Sequence, residues 1–184
     1  KQTNCHLFCN LNQEEDPNSD EISSYKDNLA EYIRQHHILF AIDLHGAAIS
    51  RDFDLELGTG HGKNINQSEA LVDILQTLAD ACHYKLDIDH FFAASGNNTV
   101  SFDIHEQTSI PVVQIEVNRK YRDERNVALY SSFLQLLVDY VQAVSRLDGK
   151  YDVPKVPCKQ AQNTHLLHTA CFPNEWATMF HIQS

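Results

Sequence analysis

Asp43 and His45 stand two residues apart at the end of an apolar run, ILFAIDLHG, and Glu116 closes a second such run, PVVQIEVNR. Along an extended strand Asp43 and His45 point to the same side, about 6.5 Å apart, where a carboxylate can fix an imidazole. A ring held that way is placed to bind a metal through its other nitrogen; a hydrogen-bonded loop histidine is the plain structural account. Glu116 is harder to explain by structure alone, because a carboxylate in VVQIEV is costly to desolvate unless paired. Either it forms an ion pair with Arg119 or Arg51 that only holds loops, or it is a general base toward a metal-bound water, its pKa raised by burial.

Other polar residues carry less. Gly58, Gly60 and Gly62 in LGTGHGKN have the wrong spacing for a phosphate-binding loop and read as a tight turn, with His61 exposed in it. Cys158, His165, His168 and Cys171 lie close together but match no structural zinc pattern. No Gly-x-Ser-x-Gly elbow is present, and His105 and Glu106 do not belong to a His-Glu-x-x-His helix, because Ser109 stands where the second histidine would be.

The elements that must position these groups follow from periodicity. Ile38 to Leu44 is apolar nearly throughout, as in a strand covered on both faces, and Pro111 to Val117 repeats the pattern. Ile22, Tyr25, Leu29, Tyr32 and Ile33 predict a helix ending near Gln35, with Ser19 or Asp20 as its cap. Asn66 with Glu69 resembles a capping pair for a second helix, whose buried face is Leu71, Ile74, Leu75, Leu78 and Cys82. Val127, Tyr130, Leu134, Leu137, Val141 and Val144 mark the longest helix. Cys5 to Leu11 reads as a short strand and Phe91 to Thr99 as a loop, while Val100 to Ile104 alternates like a strand in a place that does not suit one. Residues 150–184 read as an irregular tail packed on a single domain spanning 1–184. Strands alternating with helices predict an α/β fold with a largely parallel sheet, its ligand at the carboxyl ends of the strands.

At 184 residues and 42% hydrophobic, the chain can bury a core without metal or disulfide staples. A net charge of -11 without a basic patch argues against nucleic acid and anionic membrane as partners. No uninterrupted apolar run approaches the roughly 18 residues of a membrane span. Five cysteines, an odd number at irregular spacing, predict free thiols, and together these features predict a cytoplasmic protein. The sequence opens at Lys1 rather than at a methionine, which suggests trimming or a longer parent.

The segments IDLHGAAISRDFDLELGT and VVQIEVNRKYR, within Ile38 to Arg122, resemble the N-formylglutamate amidohydrolase family, a branch of the zinc-carboxypeptidase-like hydrolases. The resemblance implies a three-layer α/β/α sandwich with a mixed sheet, of the phosphorylase/hydrolase-like type. It also implies one zinc held by two histidines and an acidic residue, and a glutamate that activates water to cleave an amide. Carried over by position, His45 is the later metal ligand, Glu116 the catalytic glutamate and Asp43 the carboxylate behind the ligand; Arg51 and Arg119 grip a substrate carboxylate.

This sequence departs from the pattern. No histidine is followed three residues later by glutamate, as the family's first two ligands require, and Gln13 stands where arginine is usual. The zinc set is therefore incomplete: either a first strand and helix lie upstream of Lys1, or tight zinc binding has been lost. The expectation is metal-dependent hydrolysis of an amide in a small carboxylate-bearing substrate, with a non-catalytic relative that binds a small anion as the alternative.

Overall fold

The computed structural model describes residues 5–9, 16–147 and, for their backbone alone, 178–183. Among the described residues there are four α-helices, three of them where apolar residues recur at three- and four-residue steps. They are α1 (Ser24–His36), α2 (Glu69–Ala81), α3 (Val100–Thr108) and α4 (Val127–Val144). Six strands, β1 (Cys5–Cys9), β2 (Ile38–Ala47), β3 (Leu55–Gly58), β4 (Leu86–Ile88), β5 (Val112–Asn118) and β6 (Thr178–Gln183), make one sheet in the order β1-β6-β2-β5-β3-β4.

The sheet is mixed, and the expectation of a largely parallel one is corrected. β2 runs parallel to β5 and β3 to β4, but β3 is antiparallel to β5, and β6 is antiparallel to both β2 and β1. The link from Ala47 to Leu55 is too short for a crossover, so β3 returns against the direction of β2. The tail expected to be irregular contributes β6 between β1 and β2. Residues 148–177, with Cys158, His165, His168 and Cys171, lie outside those described.

Three local expectations also change. Ser23, not Ser19 or Asp20, caps α1, its hydroxyl accepting from the Lys26 amide, and Ile22 is 88% exposed because it precedes the helix. Ser68 rather than Asn66 stands at the start of α2, since Asn66 takes a left-handed conformation that ends a preceding turn of 3-10 helix. Val100 to Ile104 is helical: the Thr99 hydroxyl accepts from the Phe102 amide, and that cap decides between two patterns the apolar residues leave open.

Alternation along the strands divides the core. Phe40, Ile42 and Leu44 of β2, Val113, Ile115 and Val117 of β5, and Leu55 and Leu57 of β3 pack with α2 and α4. Ala41 and Val112 face the other way and pack with α1 and α3. That second face holds every strand residue proposed for chemistry. By length and composition α4 is apolar enough to cross a membrane, although Ser131, Ser132, Gln135 and Asp139 interrupt it and hid this from a count of uninterrupted runs. Its buried Phe133, Leu136, Leu137, Tyr140 and Val141 form part of the core, as in a helix packed on a sheet.

Gly46 follows His45 for a steric reason. A Cβ there would come 2.5 Å from the guanidinium carbon of Arg122, whose Nε donates to the Val117 carbonyl (3.1 Å) and Nη2 to the Ala47 carbonyl (2.9 Å). Arg122 thus ties β2 to β5 just beyond the candidate residues. Gly46→Ala is expected to displace the guanidinium from both carbonyls and to cost about 1.5–3 kcal/mol, the worth of hydrogen bonds from a charged group. Urea denaturation checks this, and unchanged stability would show that Arg122 does not make the tie.

Candidate functional site

Register brings the two principal residues together. In the β2–β5 ladder Asp43 pairs with Gln114 and His45 with Glu116, and in the β3–β5 ladder Glu56 pairs with Glu116. His45, Glu116 and Glu56 therefore form one row across three strands, on the face covered by α1 and α3. Asp43 and Glu56 are fully buried and Glu116 is 6% exposed.

Each carboxylate meets a different environment. Asp43 accepts from the Ser101 hydroxyl of α3 (3.0 Å) through Oδ2, while Oδ1 lies 2.9 Å from His45 Nε2. That second contact is an ion pair off the line of a hydrogen bond. Glu56 Oε1 accepts from three successive backbone amides, His90 (3.0 Å), Phe91 (2.5 Å) and Phe92 (2.6 Å), and holds that loop against the sheet. Among the described residues Glu116 accepts only from the Gln114 side-chain amide, at 3.3 Å. Burial raises the Glu116 pKa above the usual carboxylate range, and the charges of Asp43 and Glu56 push the same way, against His45 and Arg122. Among the described residues Asp43 Oδ1 and Glu56 Oε2 are buried without a hydrogen-bond partner, whereas Glu116, the position that looked costly in the sequence, keeps one long bond and a burial-driven rise in pKa.

His45 is held by two side chains. Burial by itself disfavours a charged ring, but Asp43, with Glu116 and Asp16 farther off, outweighs it and raises the pKa to about 9. Asn18 stands against the ring as well, its Nδ2 3.2 Å from Nδ1 and 3.1 Å from Nε2. Asn18 is fixed in turn by the Val100 amide, which donates to its Oδ1 (2.9 Å). The segment that carries Asn18 is anchored by Lys26, which is 2% exposed. Its ammonium donates to the Asp20 (2.7 Å) and Asn98 (3.1 Å) carbonyls and pairs with Asp103. Asn18, Lys26, Ser101 and Glu56 were not singled out from the sequence. Of these only Glu56 left a local signal, as the polar residue in Leu-Glu-Leu of a strand.

The two arginines are set apart from this row. Arg51 is exposed, its guanidinium 5.1 and 4.9 Å from the ring centres of Phe91 and Phe92, and its carbonyl accepts from the Asn118 side chain (3.2 Å). Arg119 is exposed beyond the end of β5. Both lie at the rim where β5 ends, and neither forms an ion pair with Glu116 among the described residues, so the loop-holding account of Glu116 is corrected. His61 is exposed in a turn where Gly60, His61 and Gly62 all have positive φ.

The zinc implied by the resemblance is tested by this donor set. His45 is oriented as one ligand would be, with a carboxylate behind Nε2 and Nδ1 turned away from it. No group of three or more histidine, cysteine or acidic side chains converges to hold a metal among the described residues. Those residues do not fit a catalytic zinc, which needs three protein donors.

Because the folded His45 pKa lies above the ordinary 6.5, the Asp43–His45 pair contributes stability that is fully present below pH 6.5 and lost as pH rises through about 9. The contribution is of order 3 kcal/mol. Urea denaturation between pH 6 and 10 is expected to show this decline in the wild type and its absence in Asp43→Asn; parallel profiles would mean that the pair is not formed.

Comparisons with protein-family models, with curated proteins and with solved structures find no match. The function is therefore argued from the site's own geometry.

Proposed function

We propose that the protein hydrolyses an amide bond in a small carboxylate-bearing substrate, of the N-formylglutamate or N-acyl-amino-acid type, on a three-layer α/β/α hydrolase-like sandwich. The observation that carries this reading is the pairing of His45 with Glu116 on one face, near the carboxyl ends of two parallel strands. A carboxylate with a raised pKa and few partners suits a general base, because its proton affinity is nearer that of the group it must deprotonate. Glu116 takes a proton from water as the water oxygen bonds to the amide carbonyl carbon. It returns the proton to the nitrogen as the C–N bond breaks, leaving a carboxylic acid and an amine, and the acid's remaining proton passes to the amine to give a carboxylate and an ammonium. His45, charged at neutral pH through Asp43, supplies positive charge for the oxygen that becomes negative. Arg51 and Arg119, at the rim, grip the substrate carboxylate.

Zinc enters this reading only as a question of donors. If bound, the metal would polarise the carbonyl and acidify water; of this row His45 would hold it, and no step above runs through it.

A specific observation favours a second reading. The described residues do not complete a metal site while two exposed arginines remain at the rim, as a non-catalytic binder of small anions requires. The two readings separate in one experiment: turnover of a panel of N-formyl and N-acyl amino acids, with and without added zinc, alongside calorimetric binding. Hydrolysis reduced roughly 10²–10⁴-fold by Glu116→Gln supports the enzyme. Binding that survives a chelator, with no turnover of any member, supports the binder and ends the hydrolase reading.

A further inference from the structure

We propose that Phe91, with Phe92 behind it, forms with Arg51 the subsite for the substrate's side chain, and that this side chain is aromatic. The compound taken is then an N-acyl aromatic amino acid, its carboxylate on the edge of the guanidinium and its ring on Phe91. This rests on the reading of Arg51 as a grip for the substrate carboxylate and narrows the substrate class of that reading.

Arg51 is held by its backbone and by the faces of two rings, which leaves its N–H edge free. Its backbone N–H donates to the Ala48 carbonyl (3.2 Å), and its carbonyl accepts from the Asn118 side chain (3.2 Å). The guanidinium carbon stands 5.1 Å from the centre of the Phe91 ring and 4.9 Å from that of Phe92, within reach of a cation–π contact. The acidic residues beside it in sequence are engaged elsewhere, Asp52 with Lys85 (2.7 Å) and Asp54 with Lys120 (2.5 Å). A planar fork of N–H donors left in this state suits a carboxylate.

The two rings are placed by the carboxylate row. Glu56 accepts from the Phe91 and Phe92 amides and is paired with Glu116 in the β3–β5 ladder. Residues opposed in an antiparallel pair have Cα atoms about 4.5–5.5 Å apart, so the loop bearing the rings is fastened next to Glu116. Phe53, which is buried, backs both rings, its centre 6.5 Å from that of Phe91 and 6.3 Å from that of Phe92. Phe92 is half-buried, whereas Phe91 is 55% exposed. Its ring stays at the surface with apolar area that a second ring would cover.

The charge around the rings disfavours an acidic side chain. With both rim arginines given to the substrate's carboxylate beside the amide, a glutamate side chain would find neither of them free. It would also approach Asp87, whose Oδ2 lies 3.6 Å from His90 Nδ1, behind an imidazole centred 4.1 Å from the Phe91 ring. An aromatic side chain meets the same surface without charge.

The test is calorimetric binding to the full chain of two carboxylates that contain no amide and cannot be turned over, phenylpropanoate and glutarate. The wild type is expected to bind phenylpropanoate roughly tenfold more tightly, the worth of an aromatic contact with the area it buries. Phe91→Ala, a change at an exposed position, is expected to abolish that preference, Phe91→Tyr to keep it, and Arg51→Gln to weaken both ligands. A wild type that binds glutarate as tightly or binds neither, a preference unmoved in Phe91→Ala, or affinities unmoved in Arg51→Gln overturns the subsite. Turnover is read separately on N-acetylphenylalanine and N-acetylglutamate. Phenylpropanoate bound with neither amide cleaved keeps the subsite and ends the hydrolase reading, whereas preferential cleavage of N-acetylglutamate overturns the subsite and keeps the hydrolase.

Discussion

Burying a carboxylate costs several kcal/mol unless something answers its charge, and this sheet buries three on one face. Much of the surrounding structure can be understood as the answer. Ser101 and His45 serve Asp43, three backbone amides serve Glu56, and the helices carrying or flanking those donors are placed accordingly. The opposite face makes no such demand. There Leu44, Leu55, Ile115 and Val117 meet α2 and α4 as an ordinary apolar interface, which can supply the stability that the polar face spends.

The two faces also divide the work of loops. On the polar side the segments 16–20 and 89–99 are fixed by polar contacts, the second also by Phe91 and Phe92 packing on Phe53. Lys26 is the main fastening of the first, joining it to the second through the Asn98 carbonyl and to α3 through Asp103. A buried ammonium with three oxygen partners is satisfied only when all three elements are in place, so the geometry around His45 is assembled cooperatively.

The parts legible in the sequence are those set by local pattern. β2, β5, α2 and α4 follow from apolar runs and helical periodicity, and the pairing of His45 with Glu116 on one face follows once two such strands lie parallel in that register. Strand direction was not legible, because nothing in Leu-Glu-Leu-Gly states that β3 runs against β5, and nothing near Thr178 states that it reaches β2. α3 was ambiguous, since Val100, Phe102 and Ile104 suit either period and a single capping threonine settles it. Asn18 and Lys26 were invisible for another reason: polar residues in or beside an acidic loop look solvated, and only the fold reveals that they are turned inward.

The three buried carboxylates are not equivalent, and their differences indicate where chemistry can occur. Three amides converge on Glu56, so any movement of its headgroup would unmake the 90–92 loop. Asp43 is engaged by a hydroxyl on one oxygen and an imidazole on the other. Among the described residues Glu116 has one amide at 3.3 Å, sits between the other two in the polar network, and feels their charge as well as its burial. A group that packing leaves underserved, beside a ring that packing holds firmly, is free to exchange a proton without dismantling its surroundings. That asymmetry, more than the number of acidic residues, is what the proposed function draws on.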